Sequence, residues 1–144
     1  MSKEVIDRAS EIIAEKAANK NEGGCVLALI DHEGYPTAST LTVSKSDGIK
    51  YITFCTGLGS NKANRIRNCN KASVCFNAED ENLYNITLVG TIEVLTDPET
   101  RREMWYDGLK GHFTGSDDPN YCVLRFETKR YNLFVDWKEA VGTL

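Results

Sequence analysis

The sequence predicts a mainly β chain of the α+β class, with six to seven antiparallel strands in a closed or nearly closed barrel and helices at its periphery. Three observations carry this expectation. Strand-like segments follow one another through the chain, separated mostly by short turns. Helical patterning is confined to the N-terminus and to two stretches beginning near Ser60 and Pro98. A doubly wound α/β sheet would need helices alternating with strands, and they do not alternate.

Val5, Ile6, Ala9, Ile12, Ile13 and Ala17 recur at helical spacing, opposite Lys3, Asp7, Arg8, Glu11 and Glu15. A helix running to Ala18 is therefore expected to cover one open end of the barrel. After Gly23-Gly24, Cys25–Ile30 is a continuous apolar run, the mark of a strand buried on both faces. Asp31–Gly34 reads as a tight turn into a returning strand, Pro36–Val43. Ser46-Asp47-Gly48 is a second turn, into Ile49–Thr56, so the three strands are expected to form a meander. The loop Gly57–Ser60 and a short helix, Asn61–Asn68, interrupt the strand pattern before Lys71–Phe76 resumes it. Tyr84–Leu95 places Ile86, Leu88, Ile92 and Val94 on one face, with Gly90 where a barrel strand would bend. Asp97 and Pro98 open a helix to about Gly108. Tyr121–Glu127 and Tyr131–Val135 read as a final hairpin.

A length of 144 residues fits a single domain spanning 1–144. A net charge of −4 argues against sequence-independent nucleic-acid binding, which needs clustered positive charge. No apolar signal segment and no run near the ~20 residues of a membrane span is visible, so a cytoplasmic location without a membrane partner is expected. The five cysteines form no C-x-x-C pair, and their odd number suits buried, reduced side chains better than a disulfide framework. His32 and His112 lack metal-ligand spacing, so no metal is expected.

The stretch richest in chemistry is Phe54–Asn68. A strand ends at Thr56, a glycine-containing loop follows, and a helix starts near Ser60 with Lys62 in its first turn. Amides at a helix start lack intrahelical partners and share the positive end of the dipole, which makes an anion site. Ser60 adds a hydroxyl and Lys62 a charge. A lysine is locally unfavourable there, a cost that a bound phosphate offsets. Neither the Walker spacing nor the G-x-G-x-x-G fingerprint is present.

This segment resembles the pyridoxamine 5'-phosphate oxidase-like family, the FMN-binding split barrels, whose Tyr-Thr-x-Leu-Gly-Ser-Arg-Lys-Ala run holds the flavin phosphate. The matching residues here are Cys55, Thr56, Leu58, Gly59, Ser60, Asn61, Lys62 and Ala63. Pro36–Ser44 resembles the strand lining the flavin, which nominates Ser39, Thr40, Leu41 and Thr42. Asn85 falls where the oxidases place a Gln against the isoalloxazine. His112–Phe126 and the aromatic ending Tyr131–Trp137 are similar to the bacterial general stress protein branch, with Trp137 placed to cover a flavin edge from a neighbouring subunit. The resemblance implies a split barrel, an FMN cofactor, and a homodimer with flavin at its interface.

The departures narrow that expectation. Where the oxidases carry arginines this chain has Ser39 and Asn61, and their substrate-binding lysine corresponds to Ser44. Lys45 alternates to the opposite face. The arginine- and histidine-rich tail is absent, so oxidation of pyridoxamine phosphate itself is not expected. The resemblance implies an FMN-dependent oxidoreductase acting on a small molecule, with no catalytic side chain identified. The competing classes are a non-enzymatic flavin-binding or stress-response protein, and a deazaflavin- or haem-binding relative.

Overall fold

The computed structural model describes residues 2–21 and 23–144. The first helix, α1, is Ser2–Ala18, and its stripe of Val5, Ala9, Ile12 and Ile13 is buried. Then follow β1 (Cys25–Ile30), β2 (Pro36–Leu41), β3 (Lys45–Asp47), β4 (Tyr51–Gly57), α2 (Asn61–Asn68), β5 (Lys71–Ala78) and β6 (Tyr84–Leu95). The chain continues through α3 (Pro98–Met104), a 3-10 turn (Asp107–Gly111), β7 (Tyr121–Val135) and β8 (Lys138–Thr143). Every strand pair is antiparallel, in the order β2-β1-β5-β6-β7-β4-β3, with β8 added to the second half of β7.

The two end strands of that sheet, β2 and β3, are joined by Thr42, Val43 and Ser44 alone. So short a link spans roughly 14 Å at full stretch, so the sheet must curl until its ends nearly meet. The Ser44 N–H already donates to the Thr53 carbonyl of β4 at 2.8 Å. The barrel is thus closed by a crossing chain rather than by a ladder between β2 and β4, which makes it a split barrel. Its core is built from Leu27, Val74, Phe76, Ile86, Leu88, Ile52, Phe54, Leu124, Phe126 and Leu133, with α1 plugging it.

Several expected elements are corrected. Among the described residues the strands number eight, because Lys45–Asp47 and Lys138–Thr143 pair in their own right. β1 is not buried on both faces: Cys25, Leu27 and Leu29 are buried while Val26, Ala28 and Ile30 are half-buried. The meander expected of the first three strands does not form, because β2 stays with β1 and the chain crosses to the other end of the sheet. The expected hairpin at 121–135 is one long strand, bent opposite a register shift between Val89 and Gly90. A Cβ on Gly90 would lie 1.9 Å from the Glu127 carbonyl oxygen, which is why that bend needs glycine. The true final hairpin is β7–β8, turning on Asp136 and Trp137. The helix from Pro98 stops at Met104, with the Trp105 N–H on the Arg102 carbonyl.

Candidate functional site

Ser60 is the N-cap of α2, and its Oγ accepts the Ala63 N–H at 3.2 Å. The Asn64 N–H reaches the Ser60 carbonyl at 3.3 Å, while the Asn61 and Lys62 amides precede any intrahelical acceptor. Two free amides, the serine hydroxyl and a lysine, Lys62, therefore fall within the first turn of one helix. Ala63 and Ile66 anchor the helix by burial. Thr56 leads into this helix start from the end of β4.

The loop before it is fixed by a residue the sequence reading did not single out. Asn120 accepts the Leu58 N–H on its carbonyl at 2.6 Å and the Gly59 N–H on Oδ1 at 3.4 Å. Asp118 holds that neighbour in turn, accepting from Thr114 N at 3.0 Å and Asn120 N at 2.9 Å. These bonds, the Thr114 amide first and then that of Asn120, hold its carboxyl below the ordinary value. Arg101 of α3 donates from Nη1 to the Asp118 carbonyl at 3.0 Å. Its Nε is buried without a hydrogen-bond partner among the described residues. The Asp118 turn is local, with bonds to Thr114 and Asn120, but its link to Leu58 and Gly59 comes only from tertiary packing and leaves no spacing signal.

A second group of candidates lies on the outer surface of the sheet. Register places Thr40, Val26, Cys75, Thr87, Asn132 and Val141 in one outward row across six strands. Asn85 borders that row and pairs with Phe134, and its Oδ1 accepts from Thr87 Oγ1 at 3.1 Å. Trp137 sets its ring edge-on to Phe134 at 5.8 Å. Its φ of 64° is rare for a bulky side chain, yet it is 79% exposed. Asn85 and Trp137 are therefore brought together, and Thr40 shares their face.

The other candidates go elsewhere. Ser39 and Leu41 pair with Leu27 and Cys25, which face the barrel interior. The Cys55 thiol turns under α3, 3.5 Å from the Met104 carbonyl and 3.6 Å from the Tyr121 hydroxyl, and burial raises its pKa. Burial also pushes the Cys25 and Cys122 thiols up to about 12 and about 11, so both stay protonated near neutrality. Thr42 lines a cleft with Lys20, Tyr106 and His112. Ser44 is buried, with its Oγ donating to the Met104 carbonyl at 2.8 Å, and Lys45 is exposed as alternation requires.

The family model described as pyridoxamine 5'-phosphate oxidase matches residues 14–134. The chain belongs to that family. A Clostridium acetobutylicum protein related to general stress protein 26 is similar in structure at 26% identity, covering 94% of this chain and 96% of its own, with a TM-score of 0.74. General stress protein 26 of Bacillus anthracis matches at 18% identity, covering 90% and 98%, with a TM-score of 0.69. A haem-binding protein from Mycobacterium smegmatis shares the fold at 20% identity, covering 91% of this chain and 57% of its own, with a TM-score of 0.65. No curated protein sequence matches. Among the described residues, no helix is long and apolar enough to cross a membrane.

Proposed function

We propose that this family member binds FMN as a homodimer and acts as an FMN-dependent oxidoreductase on a small organic molecule. The observation that carries this reading is the start of α2, where the Asn61 and Lys62 amides have no hydrogen-bond acceptor among the described residues and Lys62 brings a positive charge into the first turn. This donor set fits a phosphate. The Ser60 hydroxyl adds a donor, because its oxygen is already engaged by the Ala63 N–H. Backbone amides stand in for the arginines missing at positions 39 and 61.

The other assigned residues line the isoalloxazine: the strand from Ser39 through Leu41 to Thr42, the Cys55–Thr56 main chain, and Asn85. Ser39 to Leu41 alternate between the two faces of β2 and the Cys55 thiol points away, so their part is chiefly played by backbone. Bound FMN supplies the redox chemistry. The candidates fall on separate surfaces of one protomer, which supports a pocket completed by a second copy across the bare sheet face. Trp137, strained and exposed at its edge, reaches the partner's flavin. The five unpaired cysteines suit a reducing cytoplasm. Haem is the weaker reading, since His32 and His112 are both exposed, in a turn and a loop.

Purified protein is expected to be yellow and to release FMN on denaturation. Anaerobic bleaching by NADH or NADPH identifies the oxidoreductase, whereas failure of every common donor leaves only a flavin-binding protein. Replacing Lys62 with Ala removes a charged hydrogen bond worth roughly 1.5–3 kcal/mol, so the FMN dissociation constant rises about ten- to a hundredfold. Unchanged affinity in Lys62→Ala refutes the phosphate assignment.

A further inference from the structure

Three segments distant in sequence meet around a cleft of about 480 Å³: Ala18, Lys20 and Asn21 at the exit of α1, Thr42 at the strand crossing, and the stretch from Tyr106 to His112. Lys20 is the charged group fixed within it. An ammonium carries three donors, and two of them go to the carbonyls of Ala17 and Ser44, the latter at 3.0 Å. The nitrogen also stands 4.8 Å from the centre of the Tyr106 ring. Held this way, the long side chain has little rotamer freedom left to lose on binding a ligand.

Burial lowers the Lys20 pKa, the sign of a partly desolvated cation. No carboxylate pairs with it among the described residues. The nearby Cys55 thiol is kept neutral by its own burial and supplies no counter-charge. The rim carboxylate, Asp107, pairs with Lys110 at 3.4 Å. A held ammonium with a spare donor thus stands beside a cleft, with no carboxylate paired to it among the described residues.

We propose that this cleft binds a small organic carboxylate, with its single charge on the Lys20 Nζ and with Thr42 and His112 on the walls around it. Lys20 is the one lysine or arginine among the described residues lining the cleft, so it matches the single charge of a carboxylate better than the two of a phosphate monoester. The cleft shares Thr42 with the strand assigned to the isoalloxazine, so the test includes competition with FMN to tell carboxylate binding from the flavin reading.

The test is a titration of the purified protein with benzoate, followed through backbone amides by NMR. Saturable shifts are expected at Lys20, Asn21, Thr42 and Tyr106 to His112, with inorganic phosphate binding more weakly. Lys20→Met keeps an unbranched stem over Tyr106 and should weaken benzoate about tenfold or more, while Lys20→Arg retains binding. If Lys20→Met does not fold, Thr42→Val replaces it, with weaker binding expected. Absence of saturable shifts, unchanged affinity in the folded variant, tighter binding of phosphate, or competitive displacement of benzoate by FMN would each overturn the proposal. The last would assign the cleft to the flavin.

Discussion

The outer surface of this barrel has two halves built on opposite plans. Along β4 and the first part of β7, the outward residues Tyr121, Val123 and Cys55 lie under α3 and the 3-10 turn, packed with Leu109, Met104, Trp105 and Phe113. Along β2, β1, β5 and the second part of β7, no helix covers the outward residues among those described, and the central ones are mostly small or uncharged. The row Ala38, Ala28, Ser73, Val89, Arg130 and Thr143 runs beside the one from Thr40 to Val141. A strand face meant only for water usually alternates towards charge. Here two rows of six positions across the sheet hold a single charged residue, Arg130. The comparison teaches that the first face is finished within the chain, whereas the second has the composition of a contact surface.

The largest expected effect is on the covered half. Tyr121 is fully buried, meets Trp105 edge-on at 5.4 Å and donates to the Arg101 carbonyl at 2.8 Å. Replacing it with Ala should destabilise the protein by about 3–5 kcal/mol, read from denaturant unfolding. A loss near zero would mean that the helical cover contributes little and the two halves are energetically alike.

On the bare half the effect should appear in assembly rather than in folding. Ala28 sits mid-face between Ala38 and Ser73. Ala28→Arg places a long cation there and should yield a monomer by sedimentation velocity, with an unchanged far-UV spectrum and much weaker FMN binding. A dimer that persists in this variant would show that the face is not its interface.

How far the sequence reveals these two halves depends on the range of the signal. Boundaries set by local chemistry were legible: Ser60 capping α2, Asp97 and Pro98 opening α3, Gly34 at a φ of +88° in its turn. Pairing between distant strands was not. Thr42 and Val43 read as the end of the strand Pro36–Val43, and nothing local says that the chain crosses from one end of the sheet to the other there. Likewise the bend in β7 is dictated by Gly90 on the strand beside it, so Thr128 and Lys129 resemble a turn. For the site, the Ser60–Lys62 mouth was visible as a motif. Asn120 and Lys20 were invisible as site residues, because their decisive contacts, to Leu58 and Gly59 and to the Ser44 carbonyl, come from distant parts of the chain.

The smallest effect sharpens the comparison from the covered side. Asp118 ties the segment from Thr114 to Asn120, and Asn120 in turn holds Leu58 and Gly59 next to the α2 mouth. Because the folded protein holds this carboxyl below its ordinary value, its contribution is fully present above that value and is lost as pH falls through the depressed one. Once corrected for the intrinsic rate, exchange of the Thr114, Asn120, Leu58 and Gly59 amides should therefore quicken as the pH falls through that depressed value. Asp118→Asn, which keeps one acceptor oxygen instead of two, should show the same faster exchange at neutral pH with little change in global stability. If those four amides do not respond together, the covered half is a lid on the core alone and plays no part in shaping the anion site.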